Sequence, residues 1–250
     1  MLDAITPLIL TRDEEANIAR TLGQLAWARD VVVVDSLSTD ATVFIARKFP
    51  NVRVVDRAFD THERQWNFGL AEVHTEWALT LDADYVVPDA FVREIAALDP
   101  ADDVAGYEAA FTYAIDGKPL RASLYPPRIV LVRRARASFV QDGHTQRVRV
   151  DGRVEHLREK LIHDDRKPRA RFAERQRKYM QIEAAKLRAT PMRELNLAGK
   201  LRRMRVVAPL AVLAHTLVVK RAALDGRAGW RYAYERFLAE LILSRELFRR

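Results

Sequence analysis

Val31-Val32-Val33-Val34 constrains this 250-residue chain more than any other stretch. It is β-branched throughout and apolar on both faces that a strand presents, so it belongs inside a sheet covered on both sides. It ends at once in a polar loop, Asp35-Ser36-Leu37-Ser38-Thr39-Asp40, followed by a helical stretch from Ala41 to Phe49. The same unit recurs on either side. Thr6 to Leu10 reads as a strand turning at Thr11 to Glu15, with Asp13 as an N-cap and Ile18, Leu22 and Leu25 at helical spacing. Val52 to Val55 is a third strand, Arg64 to Ala71 a helix, and Trp77 to Leu81 a fourth strand. This alternation predicts an α/β fold with a mainly parallel central sheet flanked by helices. Ligands of such sheets bind beyond the carboxyl ends of the strands. Thr11 to Glu14, Asp35 to Asp40 and Asp82 to Asp84 all fall there.

The fourth strand closes on Asp82-Ala83-Asp84. Buried carboxylates need a partner, so an acidic pair at the end of an apolar strand is not core material. Two hard oxygen ligands with a small residue between them suit Mg²⁺ or Mn²⁺ shared with phosphate oxygens.

The rest of the chain changes character. Phe91 to Leu98 reads as a short helix, and Val104 to Ile115 and Arg128 to Val132 as strand-like, with Asp116-Gly117 as a turn. Ser138 to His144 reads as a loop, and Gln146 to Val150 and Arg153 to Leu157 as a hairpin around Asp151-Gly152. From Pro168 onward the chain is basic and helical, with breaks expected near Pro191, Pro209 and Gly226 to Gly229. Charge follows the same division. Residues 1–146 hold 15 Lys and Arg against 22 Asp and Glu, whereas residues 147–250 hold 27 against 12. A basic half of this kind suggests an anionic partner: membrane lipid, nucleic acid or a phosphorylated acceptor. The absence of cysteine excludes disulfides and thiolate zinc sites and fits a reducing compartment, and the first residues lack a signal-peptide pattern.

Four ordered motifs carry a resemblance. They are Leu10-Thr11-Arg12-Asp13-Glu14-Glu15-Ala16-Asn17-Ile18, Val34 to Thr42, Arg64-Gln65-Trp66-Asn67-Phe68-Gly69-Leu70, and Trp77 to Asp84. With them the chain resembles the family 2 glycosyltransferases of the GT-A fold, nearest to bacterial transferases of lipopolysaccharide core and related envelope glycans. The resemblance implies a transferase domain over 1–165, with a donor half to about residue 90 and an acceptor half beyond it. A basic, partly amphipathic helical region over 166–250 follows. It implies a nucleotide-sugar donor, usually a UDP-sugar, with Thr11 and Glu14 bordering the base and Asp35 on the uridine. Arg64 and Asn67 would line the donor pocket, Asp82 would meet ribose or metal, and Asp84 would bridge to the metal. His163 would lie near the diphosphate and metal. Asp142 would serve as the base, with His144 orienting the acceptor or sharing the proton. Three positions depart from the family pattern. Tyr85 stands where many members have Glu, His144-Thr145 where His-Glu is common, and Leu37 where Gly is common.

Val206 to Val219 is apolar but only 14 residues long, short for a membrane span, and lies between Lys200, Arg202, Arg203, Arg205 and Lys220, Arg221. The pattern suits a helix lying in an anionic membrane interface, or a hairpin packed on the domain or a second subunit. The leading expectation is therefore an inverting, metal-dependent glycosyltransferase, cytoplasmic and peripheral to the inner membrane, acting on an envelope glycolipid. The alternatives are a polyprenyl-phosphate sugar transferase and a non-catalytic nucleotide-sugar or nucleic-acid binding protein. Nucleic acid is disfavoured, because the basic segment has few interleaved aromatics and no recognised motif.

Overall fold

Strands β1 (Ile5–Thr11), β2 (Val31–Asp35), β3 (Val52–Asp56) and β4 (Trp77–Asp82) run parallel in the order β4-β1-β2-β3. The protein is described by a computed structural model over residues 1–142, 145–168 and 172–249, omitting the side chains of 142, 145 and 172–175. All of β2 is buried. Its alternate side chains feed two cores, as a period of two requires. Val31 and Val33 pack with Ile5, Ile9, Leu79 and Leu81, joined by Ile18 and Leu22 of α1 (Ile18–Gly23). Val32 and Val34 pack with Leu8 and Ala78 against Trp66 and Leu70 of α3 (His62–Glu72). Each buried Val contributes roughly 1.5–3 kcal/mol relative to exposure, so the strand can sit only between two helical layers.

The first two helices are shorter than the sequence indicates, and Asp13 is not the cap of α1. It adopts a left-handed backbone (φ 52°), and its Oδ1 accepts from Thr39 N at 2.8 Å. Asn17 takes the N-cap position without a side-chain capping bond. α2 spans Thr42–Ala46, with Asp40 Oδ1 accepting from Thr42 N at 2.9 Å.

Beyond β4 come β5 (Tyr85–Val86), α4 (Asp89–Ala96), β6 (Val104–Ala109), β7 (Phe111–Ile115) and β8 (Lys118–Pro119). They are followed by β9 (Arg128–Arg133), β10 (Ala137–Asp142), β11 (Thr145–Val150), β12 (Arg153–His156) and β13 (Leu161–His163). β9 enters the main sheet antiparallel to both β4 and β6, giving the order β12-β6-β9-β4-β1-β2-β3. The mainly parallel α/β architecture expected from the sequence is present. β13 pairs antiparallel with β5 and parallel with β7.

Two expectations fail in this half. Residues 138–142 belong to β10 rather than a loop, and β10 pairs with β11. The reason is tertiary. Phe139 stacks on Trp66 at 5.2 Å, and the Asn67 amide both donates to Phe139 O and accepts from Phe139 N at 2.9 Å, as a neighbouring strand would. Asp151-Gly152 is likewise not the turn of a β11–β12 hairpin, because β12 pairs parallel with β6. Gly152 has φ 142°, and a Cβ there would lie 2.6 Å from Asp103 O, so the chain can cross to that edge only at glycine.

The chain forms two compact units, residues 1–117 with 125–167, and residues 118–124 with 168–250. The sequence reading put one boundary at 165/166. Residues 118–124 join the second unit because Asp225 Oδ2 accepts from Arg121 N at 2.9 Å and Ala122 N at 3.3 Å, while Tyr232 Oη accepts from Leu124 N at 2.8 Å. This unit contains α5 (Phe172–Ala189), α6 (Leu197–Arg203), α7 (Val207–Ala214) and α8 (Gly226–Phe248). Ala184 and Leu187 of α5 pack on Leu243 and Leu247 of α8. The break expected near Pro209 falls at residues 204–206, between α6 and α7, and Pro209 itself is helical. It sits in the first turn of α7, where a missing N–H is tolerated. No single helix among the described residues is long and apolar enough to cross a membrane; Val207–Val219 and Ala222–Phe248, bent by 67°, reach that length and composition only together.

Gly229 is fixed by contact, since a Cβ there would lie 1.8 Å from Ala222 O. Gly229→Ala is therefore expected to destabilise the second unit by about 2–3 kcal/mol, read as a lower denaturation midpoint. An unchanged midpoint would contradict this packing.

Candidate active site

Register sets three polar residues side by side. Thr11 is opposite Asp35, and Leu10 is opposite Asp82, so β4, β1 and β2 end together. Asp35 is buried and fully engaged at this edge. Its Oδ1 accepts from Thr11 Oγ1 at 2.8 Å and Ser38 Oγ at 2.6 Å, and its Oδ2 from Ser38 N at 2.7 Å. The loops after β1 and β2 are laced further by Asp13 N to Ser38 Oγ at 2.9 Å and Glu14 N to Thr42 Oγ1 at 2.7 Å. Such lacing fixes a polar cleft wall that would otherwise be two mobile loops. Leu37 closes this loop in a left-handed conformation (φ 59°) with its side chain half exposed.

Asp84 lies past the end of β4 and is the anomaly of the site. Its Oδ1 is buried without a hydrogen-bond partner, and its Oδ2 is 3.6 Å from His163 Nε2. Burial, then the charges of Asp82 and Asp165, push its carboxyl up to about 8 against the pull of Lys167. His163 is pinned by pairing opposite both Tyr85 and Tyr113, and its ring stacks on Tyr113 at 4.8 Å. Glu14 ion-pairs with Lys167 and accepts from Asn17 Nδ2 at 2.9 Å; burial and the Asp84 charge still raise it to about 7.

A carboxylate buried with an open oxygen, crowded by other acids, fits a divalent cation. Among the described residues no three metal-ligating side chains converge. A Mg²⁺-type site needs only one or two protein ligands, with substrate phosphates and water completing its shell. Asp84 and His163 are the residues present that would hold it, with Asp82 at the adjacent strand end.

Beside Asp82 a cavity of about 520 Å³ opens, lined by Trp66, Thr80, Tyr85, Glu108, Arg128 and Phe139 among others. That volume accommodates a sugar and part of a second ligand. Arg128 lies 4.8 Å over the Tyr125 ring; burial works against its charge, but Tyr85, Tyr125, Asp82 and Asp84 raise its pKa. Tyr85, where the family often has Glu, is buried with its hydroxyl 2.6 Å from Tyr125 Oη.

The remaining predicted residues are dispersed. Arg64 is exposed and pairs with Asp60 Oδ2 at 3.3 Å, while the Asn67 amide is spent on β10. Asp142 ends β10 opposite Thr145, and its side chain lies outside the described residues, as does all of His144. Sequence reasoning missed Lys167, Asp165, Arg128 and Tyr125. The first two follow His163 in the run His163-Asp164-Asp165-Arg166-Lys167, whose charge density was the available signal. Arg128 and Tyr125 flank Pro126-Pro127 and carried none.

Comparison with known proteins now identifies the class. Residues 8–149 match the family model described as Glycosyl transferase family 2, and the chain belongs to that family. An uncharacterized glycosyltransferase of Rickettsia typhi is 36% identical over 81 residues, 32% of this chain and 27% of that protein. One of Rickettsia conorii is 34% identical over 85 residues, 34% of this chain and 30% of its own length. The chain thus matches less than a third of these relatives. Two solved structures share the fold. S. aureus TarS 1–349 in complex with UDP-GlcNAc has a TM-score of 0.51 at 16% identity, covering 98% of this chain and 91% of TarS. Mannosyltransferase PcManGT from Pyrobaculum calidifontis, in complex with GDP-Man and Mn²⁺, has a TM-score of 0.54 at 17% identity, covering 97% and 86%. The architecture is the GT-A fold.

Two outcomes are expected. The folded state holds the Asp84 proton to a higher pH than the unfolded chain, so its contribution to metal-free stability is full below about pH 4 and lost as pH rises to about 8. Denaturation of the metal-free protein across that range should show the decline, and Asp84→Asn should flatten it; an unchanged slope would contradict the assignment. Leu37→Gly should stabilise by about 1 kcal/mol by relieving the left-handed backbone, and a lower midpoint would contradict the strain.

Proposed function

We propose that the chain is an inverting, divalent-cation-dependent glycosyltransferase. It moves a sugar from a nucleotide-sugar, a UDP-sugar first among candidates, to a hydroxyl of a bacterial envelope glycolipid such as lipopolysaccharide core. The observation that carries this reading is the buried Asp84 oxygen without a hydrogen-bond partner just past the carboxyl end of β4, whose last residue, Asp82, lines the cavity. The family membership supports glycosyl transfer. TarS with UDP-GlcNAc and PcManGT with GDP-Man and Mn²⁺ support a nucleotide-sugar donor and a metal.

In this reading the Thr11–Asp35–Ser38 lattice holds the wall against which the nucleotide base lies, and Glu14 borders it. Asp84 and His163 hold the cation, which when bound supplies charge stabilisation to the departing diphosphate. The acceptor oxygen forms its bond to the anomeric carbon on one face as the bond to the diphosphate oxygen breaks on the other. The nucleoside diphosphate leaves with the electron pair, and the hydroxyl proton passes to a carboxylate base, which we assign to Asp142. Single displacement inverts the anomeric centre. Arg128, charged and held over Tyr125 in the cavity wall, orients sugar hydroxyls or an anionic substituent. The same reading puts the enzyme on the cytoplasmic face of the inner membrane. Val206, Leu210, Val218, Val219 and Leu224 are each more than 60% exposed in the second unit, near basic residues, and support contact with an anionic lipid surface.

Calorimetric titration with UDP, with and without Mn²⁺, tests the donor site. Metal-dependent binding is expected, with Asp84→Ala weakening it at least tenfold, in keeping with loss of a charged ligand. Metal-independent binding of UDP, or no binding of UDP and then GDP, would overturn the proposal.

A further inference from the structure

The positive excess of the second unit is gathered as well as spread. Arg188 near the end of α5, Arg203 ending α6, Arg205 in the turn before α7 and Arg249 after α8 line one cavity of about 430 Å³, with Leu247 and Phe248 as its apolar wall. Among the described residues, three of the four guanidinium groups, those of Arg188, Arg203 and Arg205, are oriented without an ion pair. Arg188 donates to Glu246 O and, at 2.6 Å, to Arg249 O. Arg203 donates to Leu187 O and, at 3.3 Å, to Thr190 O. A carbonyl fixes a fork in place but leaves its full charge. Arg205 is held by the Phe248 ring at 5.0 Å. Among the described residues the one carboxylate ion-paired with any of the four is Glu246, at 2.8 Å from Arg249.

Capping of helix ends accounts for Arg188 and Arg203, whose carbonyl partners lie in last turns or just beyond. It does not account for Arg205. That residue has φ 66°, a conformation unfavourable for any side chain with a Cβ, and its backbone N–H bonds Arg202 O at 2.9 Å, whereas among the described residues its side chain caps no carbonyl. Among the described residues four like charges gather against one carboxylate, and although water screens the exposed Arg188, Arg205 and Arg249, the local excess would favour an anion.

We propose that this cavity binds a phosphomonoester anion, gripped by the convergent forks of Arg188, Arg203, Arg205 and Arg249. Arginine forks match pairs of phosphate oxygens, and a dianionic group meets the local excess of charge. The apolar wall at Leu247 and Phe248, and the exposed Val206, Val207 and Leu210 that follow Arg205, point to a phosphate carried on a lipid. The site therefore rests on the membrane reading for the source of its phosphate, and on the arginines alone for its chemistry.

The test uses the full chain and two arms. One measures binding to phosphatidylcholine vesicles carrying phosphatidate, or phosphatidylglycerol at matched surface charge. The other titrates inorganic phosphate in solution. Arg205→Gln and Arg249→Gln are compared with a control of equal charge loss outside the cavity, Lys220→Gln and Arg221→Gln, with denaturation midpoints taken for each. The expected result is phosphatidate vesicles bound about tenfold tighter than phosphatidylglycerol vesicles. The two cavity variants should lose that preference, and the control should keep it. Equal binding to both lipids would overturn the phosphate site while leaving membrane association standing. Binding of inorganic phosphate that the cavity variants lose, without vesicle binding, would support the site and overturn both the lipid source and the membrane reading. Cavity variants that bind phosphatidate as tightly as the unaltered chain would overturn the assignment.

Discussion

A carboxylate oxygen enclosed by protein without a hydrogen bond is costly, and Asp84 Oδ1 is one. The surrounding structure explains how the fold tolerates it. β4 pairs with β9 over Trp77 to Leu79 and with β1 as far as Asp82, which restrains where the chain leaves the sheet. Asp84 O is fixed from the other side by Asp164 N at 3.1 Å. Asp164 is in turn held by Arg166 at 2.9 Å, and Arg20 donates to its carbonyl oxygen at 2.5 Å. Rigidity on both sides keeps the carboxylate where relaxation would turn it to water. The cost is a few kcal/mol at most, which two large apolar cores can bear. In the proposed function, a cation held by Asp84 would remove that cost when the donor binds and would couple donor affinity to metal.

The sheet and the acidic edge are legible in the sequence because they depend on local pattern. Val31 to Val34 states two-sided burial by itself, and Trp77 to Leu81 running into Asp82 and Asp84 states where a buried strand meets a polar site. What escaped depends on partners distant in sequence. Asp13 has the composition of a helix cap, but Thr39 in the neighbouring loop claims it. Ser138 to Asp142 has the polarity of a loop, yet Trp66 and Asn67 of α3 supply both the packing and the hydrogen bonds that make it a strand. Asp151-Gly152 carries a hairpin signal, but the close approach of Asp103 directs the chain elsewhere. The site divides in the same way. Carboxylates at strand ends were readable, while Lys167, Arg128 and Tyr125 reach the site only through folding.

The division of charge acquires a structural meaning. In the two proposals, acidic residues of the first unit would surround a cation, and basic residues of the second would surround an anion. Each arrangement is compensated only in part within the protein, by Lys167 beside Glu14 and by Glu246 beside Arg249, so a ligand of opposite charge would stabilise it further. A donor carrying a diphosphate and an acceptor carried on an anionic lipid are the two ligands these fields would gather.

The most direct test of the central claim is an anomalous difference map from crystals grown with Mn²⁺ and UDP, measured near the manganese edge. The account predicts a peak about 2 Å from the open Asp84 oxygen, with His163 beside it and phosphate oxygens completing the shell. A nucleotide bound in the cleft with the manganese peak elsewhere, or with Asp84 still uncoordinated, would contradict it.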